Sequence, residues 1–497
     1  MLNIGWASRD VSMEGPVLIT GQAFERISEG VLDPTTVTAL VMEGGGDYVV
    51  FLSGDFTGGE GSFLAELQEA VKEKIPGFNK DKLIFHVTHT HTAPRFMLEL
   101  KGYDKAPTDR VDVIHAQKYR AFLKEKTVAA IVEAWENRRP GSYAYGYSTA
   151  AVAQQRRVTY FVDRGANNKK GDTFAVNGHG VMYGNTNDPD FDSYEGPTDS
   201  NVNLLYTFDE AGKLTGAIIN VPCPSQCSER EIMTSADYWN EVRQLIREQY
   251  GDIYILPQCA AAGDLSPHPL HYKAAWERRL KLKYGEFRQD VLEPQRYWNR
   301  RDLAEKIAHA FHECYQWAAK ETYTDGPVVH TTKILELERW QITEAEYANA
   351  KESYALLQQQ AFVCTDDPYA DFRENTKLGC NLRRYELLLE TYEKNAKPVA
   401  TEIHVVRVGE LAFVTCPFEL YLAYQHRIQA RSPFAQTFLV QLTVADTGES
   451  FGYLPTQRAA ENKGYSAIVY SCYVSPTGGQ MLVEEAVKEL QSLWERN

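Results

Sequence analysis

Short apolar runs alternate along this chain with longer stretches whose apolar residues recur at helical spacing. "DYVVFLSGD" (47–55) and "KLIFHVTH" (82–89) read as strands, and "SFLAELQEAVKEKI" (62–75) between them reads as a helix. Strand, helix and strand in close succession predict a βαβ unit and a parallel pair. A helical stretch over about 111–137 ends at Arg139-Pro140-Gly141. After a short strand at 142–152, residues up to 200 are rich in Gly, Asn, Asp and Tyr and read as irregular loops. "NVNLLYTFD" (201–209) and "GAIINVP" (216–222) resemble a hairpin around Glu210-Ala211-Gly212. "SADYWNEVRQLIREQYG" (235–251) reads as a helix with Ser235 as N-cap and Gly251 as its stop, and "IYILPQ" (253–258) as a strand. Residues 270–325 and 342–396 read as helical around a strand near 327–338, followed by strands near 402–415 and at 436–445 and helices at 417–431 and 480–495. The pattern predicts an α/β fold with mixed β-sheets flanked by helices. It offers no place to cut the chain, so 1–497 is expected to be one domain with a helical insertion at about 270–400.

In open α/β sheets, sites form beyond the carboxyl ends of strands. Asp55 follows "VVFLSG", His89 and His91 follow "LIFHVT", and Cys223 and Cys227 follow "GAIINVP". Asp264 and Ser266 follow "IYILPQCAAAG", and Glu419 follows "ELAFVTCPF". Two histidines at i, i+2 on an extended segment share one face, which suits two metal ligands or one ligand and one base. Imidazole, thiolate and carboxylate together suit Zn²⁺, which at an open position polarises a carbonyl and activates water. Each residue also has a plain structural reading. Cys223 is by default a small buried hydrophobe. Gly263-Asp264-Leu265-Ser266-Pro267 is also a tight turn, and Glu419 suits the first turn of a helix.

Composition narrows the field. The 497 residues are 43% hydrophobic and 24% charged, as in ordinary globular proteins. The net charge of −15, with no Lys/Arg stripe, disfavours nucleic acid and anionic membrane as partners. No apolar stretch reaches membrane-spanning length, and the N-terminal residues show no export signal, so a cytoplasmic location is expected. The eight cysteines have no framework spacing and read as reduced thiols.

Six segments, kept in order over about 1–495, resemble the neutral ceramidases. "THTHTAP" (88–94) resembles their T-H-T-H-S-G-P segment, and "AQQRRV" (153–158) their arginine-bearing segment. "TSADYWNEVR" (234–243) resembles the stretch after the second zinc histidine, and "GDLSP" (263–267) the turn that carries the active-site serine. "CPFEL" (416–420) and "GYLPTQRAAENKGYSA" (452–467) resemble the last two zinc-site segments. The resemblance implies the ceramidase catalytic fold without its C-terminal immunoglobulin-like domain. It implies zinc held by His89 and Glu419, with Cys223 in place of the second zinc histidine. It implies His91 near the reacting carbonyl, Ser266 as active-site serine and Arg156 as substrate-binding arginine. For the zinc tyrosine, register points near Ser450, and the nearest tyrosine is Tyr453.

Together these features imply a zinc hydrolase acting on a soluble amide or ester rather than on ceramide. The aromatic and Asn-rich loops equally suit a sugar derivative, and a carbohydrate-processing metalloenzyme or a non-catalytic binding protein stays open. Whether Ser266 attacks or positions a water, the fourth metal ligand (Ser450, Tyr453, His91 or water) and homo-oligomerisation stay open too.

Overall fold

The computed structural model describes residues 1–98, 102–103, 106–286, 291–395, 397–445 and 452–496. Eight strands form the large sheet: β1 (Leu2–Asp10), β2 (Thr36–Gly44), β3 (Asp47–Gly54), β4 (Leu83–Val87), β5 (Arg139–Thr149), β6 (Asn201–Asp209), β7 (Leu214–Val221) and β8 (Tyr254–Cys259). Their order is β8-β7-β6-β5-β1-β2-β3-β4. Only the outermost pairs, β3 with β4 and β7 with β8, are parallel. Each is a βαβ unit, one through α1 (Gly61–Lys74) and the other through α3 (Tyr238–Tyr250). The expected βαβ unit and the β6–β7 hairpin are both present. Between α1 and α3 lies α2 (Ala116–Glu136), inside the expected helical stretch.

The large sheet does not lie open. β1 and β5 share only three paired positions, Leu2 with Gly141, Asn3 with Pro140 and Ile4 with Arg139. Beyond them the sheet divides into two halves whose outer edges face each other. Trp6 of β1 stacks on Tyr254 of β8 at 5.7 Å and donates to Thr207 Oγ1 of β6 at 2.9 Å. Ser53 Oγ at the end of β3 donates to Pro257 O of β8 at 2.7 Å. The carboxyl ends of β4 and β7 thereby meet, although they belong to opposite edges of the sheet.

A second sheet, β9 (Val328–Leu337), β10 (Val399–Val408), β11 (Leu411–Thr415) and β12 (Gln436–Val440), runs in that order. Strand alternation divides its residues between two cores. Val406, Val408 and Phe413 share a core with Leu40, Phe51, Ile218 and Leu256 of the large sheet. Ile403, Val405 and Val414 share one with Leu490 and Leu493 of the C-terminal helix, 476–495. The opposite face of the large sheet is covered by α1 and α2 over β2 and β3, and by α3 and α5 (Pro294–Ala318) over β6 and β7. α4 (Lys273–Tyr284) precedes α5. The helical stretch expected at about 270–400 is divided by β9; beyond β9, α6 (Glu344–Gln358) and α7 (Pro368–Glu393) pack together through Ala350, Leu357, Tyr385 and Leu388. Among the described residues no helix is long and apolar enough to cross a membrane.

Two local expectations change. Asp237, not Ser235, caps α3; its carboxylate accepts from Tyr238 N at 2.8 Å. The helix expected at 417–431 is α8 (Leu422–Gln429), so Glu419 lies on extended chain before it.

The segment after β12 joins both sheet edges. Gln441 N donates to Cys259 O at 3.0 Å and Val444 N to Phe85 O at 2.7 Å. The buried Gln441 Oε1 accepts from Leu420 N at 3.0 Å and from Ala262 N at 3.1 Å. An apolar Leu at this position strands both amides, each at a cost of about 1–3 kcal/mol. Gln441→Leu is therefore expected to lower the urea midpoint with an unchanged m-value; equal midpoints would show that the tie carries no stability.

Candidate active site

The loop after β4 places the first two side chains. His89 adopts a left-handed backbone (φ 64°), so the pair does not sit on the extended segment expected. The turn still brings the imidazoles together, with His89 Nε2 and His91 Nε2 3.3 Å apart. His89 Nδ1 lies 2.6 Å from Thr57 O, which can only accept, so Nδ1 carries a proton and Nε2 faces the cluster. Glu419 Oε2 stands 3.4 Å from that nitrogen. Glu419 and Leu420 form a short parallel ladder with Tyr453 and Leu454, which sets the carboxylate beside the phenol. Burial alone would raise the Glu419 carboxyl, but the charges of His89 and Arg156 outweigh it and hold the group below its ordinary value.

Arg156 closes the cluster and is only 2% exposed. One terminal nitrogen donates to Gly263 O at 2.8 Å and reaches Tyr453 OH at 3.3 Å and Glu419 Oε2 at 3.5 Å. The other reaches Tyr183 OH and Gln226 Oε1, each at 3.3 Å. Burial opposes its charge, but Tyr453, Tyr183 and Glu419 more than offset this and keep it protonated. Arg157 points the other way, onto Glu195, as adjacent residues of an extended segment do.

Gln226, which the strand-end argument missed, sits between Arg156 and His91. Its Nε2 lies 2.6 Å from His91 Nε2. His91 Nδ1 lies 3.5 Å from Glu229 Oε2. Burial first, then the charges of His89, Arg26 and Arg156, hold the His91 imidazole well below its ordinary value, so it is neutral. The Gln226 loop is fixed by the cap of α3. The Asp237 carboxylate accepts from Cys227 N at 3.1 Å and Ser228 N at 2.8 Å.

Cys223 is not brought to the cluster. Its thiol faces Val152 O at 3.6 Å and Pro224 O at 3.7 Å within the core. Tyr238 OH holds its carbonyl at 2.7 Å. Burial, then Cys259 and Asp237, push the thiol well above its ordinary value, so it is a neutral core residue. The expected His89–Cys223–Glu419 triad is therefore not assembled; three residues along the same loop, Gln226 turns inward instead. Among the described residues no group of three or more His, Cys, Asp or Glu side chains is arranged to hold a metal. His89 Nε2 and the ionised Glu419 carboxylate are the two donors a metal would meet. Their spacing is close to the ~3.3 Å edge of a tetrahedron with zinc-length bonds.

Ser266 is fully buried on a two-residue strand paired with Gln155 and Gln154. Its Oγ accepts from His268 N at 3.2 Å. The turn around it forms the wall of the cluster. A Cβ on Gly263 would lie 2.3 Å from Glu419 O, and Asp264 accepts from Gln155 Nε2 and Leu422 N, both at 2.9 Å. His268 reaches Gln226 O at 3.1 Å, and Tyr465 packs edge-on against Tyr453 at 5.6 Å. Asp55 is taken up by Arg243 at 2.9 Å and by Thr36 N at 2.9 Å. Ser450 lies outside the described residues. Gln226 lies between Cys223 and Cys227 in the loop after β7, and Tyr183 follows a strand of only three residues, Gly180–Met182, too short for its apolar pattern to mark it.

The whole chain superposes on neutral ceramidase from Pseudomonas aeruginosa with a TM-score of 0.66 at 17% identity, covering 100% of this chain and 75% of that one. A structure of ceramidase complexed with C2 gives 0.64 at 16% identity, with the same coverage. The fold is the mixed α/β fold of neutral ceramidase. No family model matches the sequence, and no curated protein matches it.

Two predictions follow from burial. Of the eight cysteines, seven are buried and Cys364 is exposed. A disulfide reagent is expected to titrate one thiol rapidly in the folded protein and eight in denaturant; rapid labelling of Cys223 would contradict its place in the core. His86 is fully buried, neither ring nitrogen has a hydrogen-bond partner among the described residues, and burial lowers its pKa to about 3. The unfolded chain binds this proton below about pH 6.5 and the folded chain does not. This contribution is therefore lost as pH falls from 6.5 toward 3, by about 1.4 kcal/mol per unit. His86→Leu is expected to flatten the acid limb of the stability profile; an unchanged slope would refute it.

Proposed function

We propose that the protein is a hydrolase of a soluble small-molecule amide or ester, dependent on zinc held by His89 and Glu419. The supporting observation is the convergence of His89, His91, Arg156, Glu419 and Tyr453 in one buried cluster on the ceramidase fold. The chemistry such an ion supplies is Lewis-acid polarisation of a carbonyl. The chain's own groups do the rest. Arg156 and the Tyr453 phenol are fixed donors beside the carboxylate, placed to hold a carbonyl oxygen. His91 is neutral and exchanges its Gln226 partner for a proton from the attacking hydroxyl or water. Ser266 supplies that hydroxyl after a local shift of its turn, or positions the water. The scattered cysteines, without framework spacing, support a cytoplasmic setting.

A panel of p-nitrophenyl esters and N-acyl amides, assayed with metal analysis by inductively coupled plasma mass spectrometry, tests this reading. About one zinc per chain is expected. Activity should be lost on chelation and restored by zinc, and Arg156→Lys should lower kcat/KM about 100-fold. Glu419→Gln should lose the metal. Metal-free protein with no turnover across the panel would leave a binding protein on a hydrolase fold.

A further inference from the structure

Tyr183 joins the buried cluster to the surface. Its phenol oxygen is 3.3 Å from Arg156 Nη1, its amide donates to Arg156 O at 2.7 Å, and the guanidinium lies 5.8 Å from its ring centroid. The residue is nevertheless 44% exposed. Its backbone is left-handed (φ 56°), a conformation that costs a non-glycine residue about 1–2 kcal/mol. The segment around it cannot relax easily. A Cβ on Gly184 would lie 2.4 Å from Val158 Cγ2, Tyr160 OH donates to Asn185 O at 3.0 Å, and Thr186 Oγ1 donates to Leu270 O at 3.1 Å. A strained tyrosine, held through its phenol and its amide yet 44% exposed, gains little from packing. Strain retained at such a place points to use.

Resting on the hydrolase reading above, we propose that Tyr183 is the specificity-determining residue of the site. Its exposed ring stacks on a flat group carried beside the scissile carbonyl, while its phenol positions Arg156. The substrate class is an acyl amide or ester borne on a ring, aromatic or sugar, since the first offers a π face and the second a face of C–H groups to tyrosine. This joins the two substrate chemistries, amide and sugar, in one molecule.

Binding of 4-nitroacetanilide and of N-acetylglucosamine, two acetamides that differ in the ring, is measured by titration calorimetry on the full chain. The wild type is expected to bind at least one of them, and which one identifies the ring. Tyr183→Gly removes the ring on a backbone that suits glycine and should weaken that binding about fivefold. Tyr183→Trp should restore it. Tyr183→Phe should keep binding but lower kcat through Arg156. Equal binding by wild type and Tyr183→Gly, or no binding of either amide to wild type, overturns the proposal. So does a loss in Tyr183→Phe as large as in Tyr183→Gly. Absence of turnover with the binding pattern intact would instead overturn the hydrolase reading.

Discussion

A guanidinium withdrawn from water must be surrounded by acceptors, and much of this site is arranged around that demand. Arg156 gathers a backbone carbonyl from the 263–267 turn, a carboxylate from the segment before α8, phenols from two separate loops and an amide oxygen from the loop after β7. Removing any acceptor leaves a buried charge short of a partner, which costs more than an ordinary hydrogen bond is worth. The same demand fixes chemistry. It helps keep Glu419 ionised and His91 neutral, so a carboxylate, a free imidazole lone pair and a cation coexist within a few ångströms.

That gathering is possible because the large sheet closes on itself. Two parallel βαβ units occupy opposite edges of one sheet, and antiparallel strands between them would send their carboxyl ends in opposite directions. The short β1–β5 pairing lets the halves fold over, and the Gln441–Val444 segment stitches the edges. Loops after β4, β7 and β8 then share one space with the loop after β11. The strand-end rule for open sheets therefore picks many of the right loops, although the sheet is not open.

The departure from a three-ligand metal group is local. The loop after β7 offers both a thiol and an amide, and the α3 cap decides which turns inward. Asp237 holds the amides of Cys227 and Ser228, and Tyr238 holds the Cys223 carbonyl, so Gln226 faces the cluster and the thiol faces Val152. A neutral amide there adds no charge, whereas a thiolate would. The balance between His89 and Glu419 is thus left to Arg156 and Tyr453.

Local pattern marked many of the strands and helices, though not β1 or β2, and named several of the loops that matter, because apolar period and turn chemistry act over a few residues. His89, His91 and Glu419 were legible in this way as ligand types at strand ends, whereas Arg156 and Tyr453 were named only through the resemblance of their segments. Tertiary structure decided the rest. The left-handed turn at His89 aims an imidazole that an extended chain would have aimed elsewhere. Cys223 and Gln226 are three residues apart on an irregular loop with no period to tell their directions apart, and a capping carboxylate on the next helix makes the choice. Tyr183 lies in a loop with no periodic signal at all; only the folded chain brings its phenol to Arg156 and leaves its ring in water. Side-chain direction in loops is set by distant hydrogen-bond partners, and those exist only once the sheet has closed.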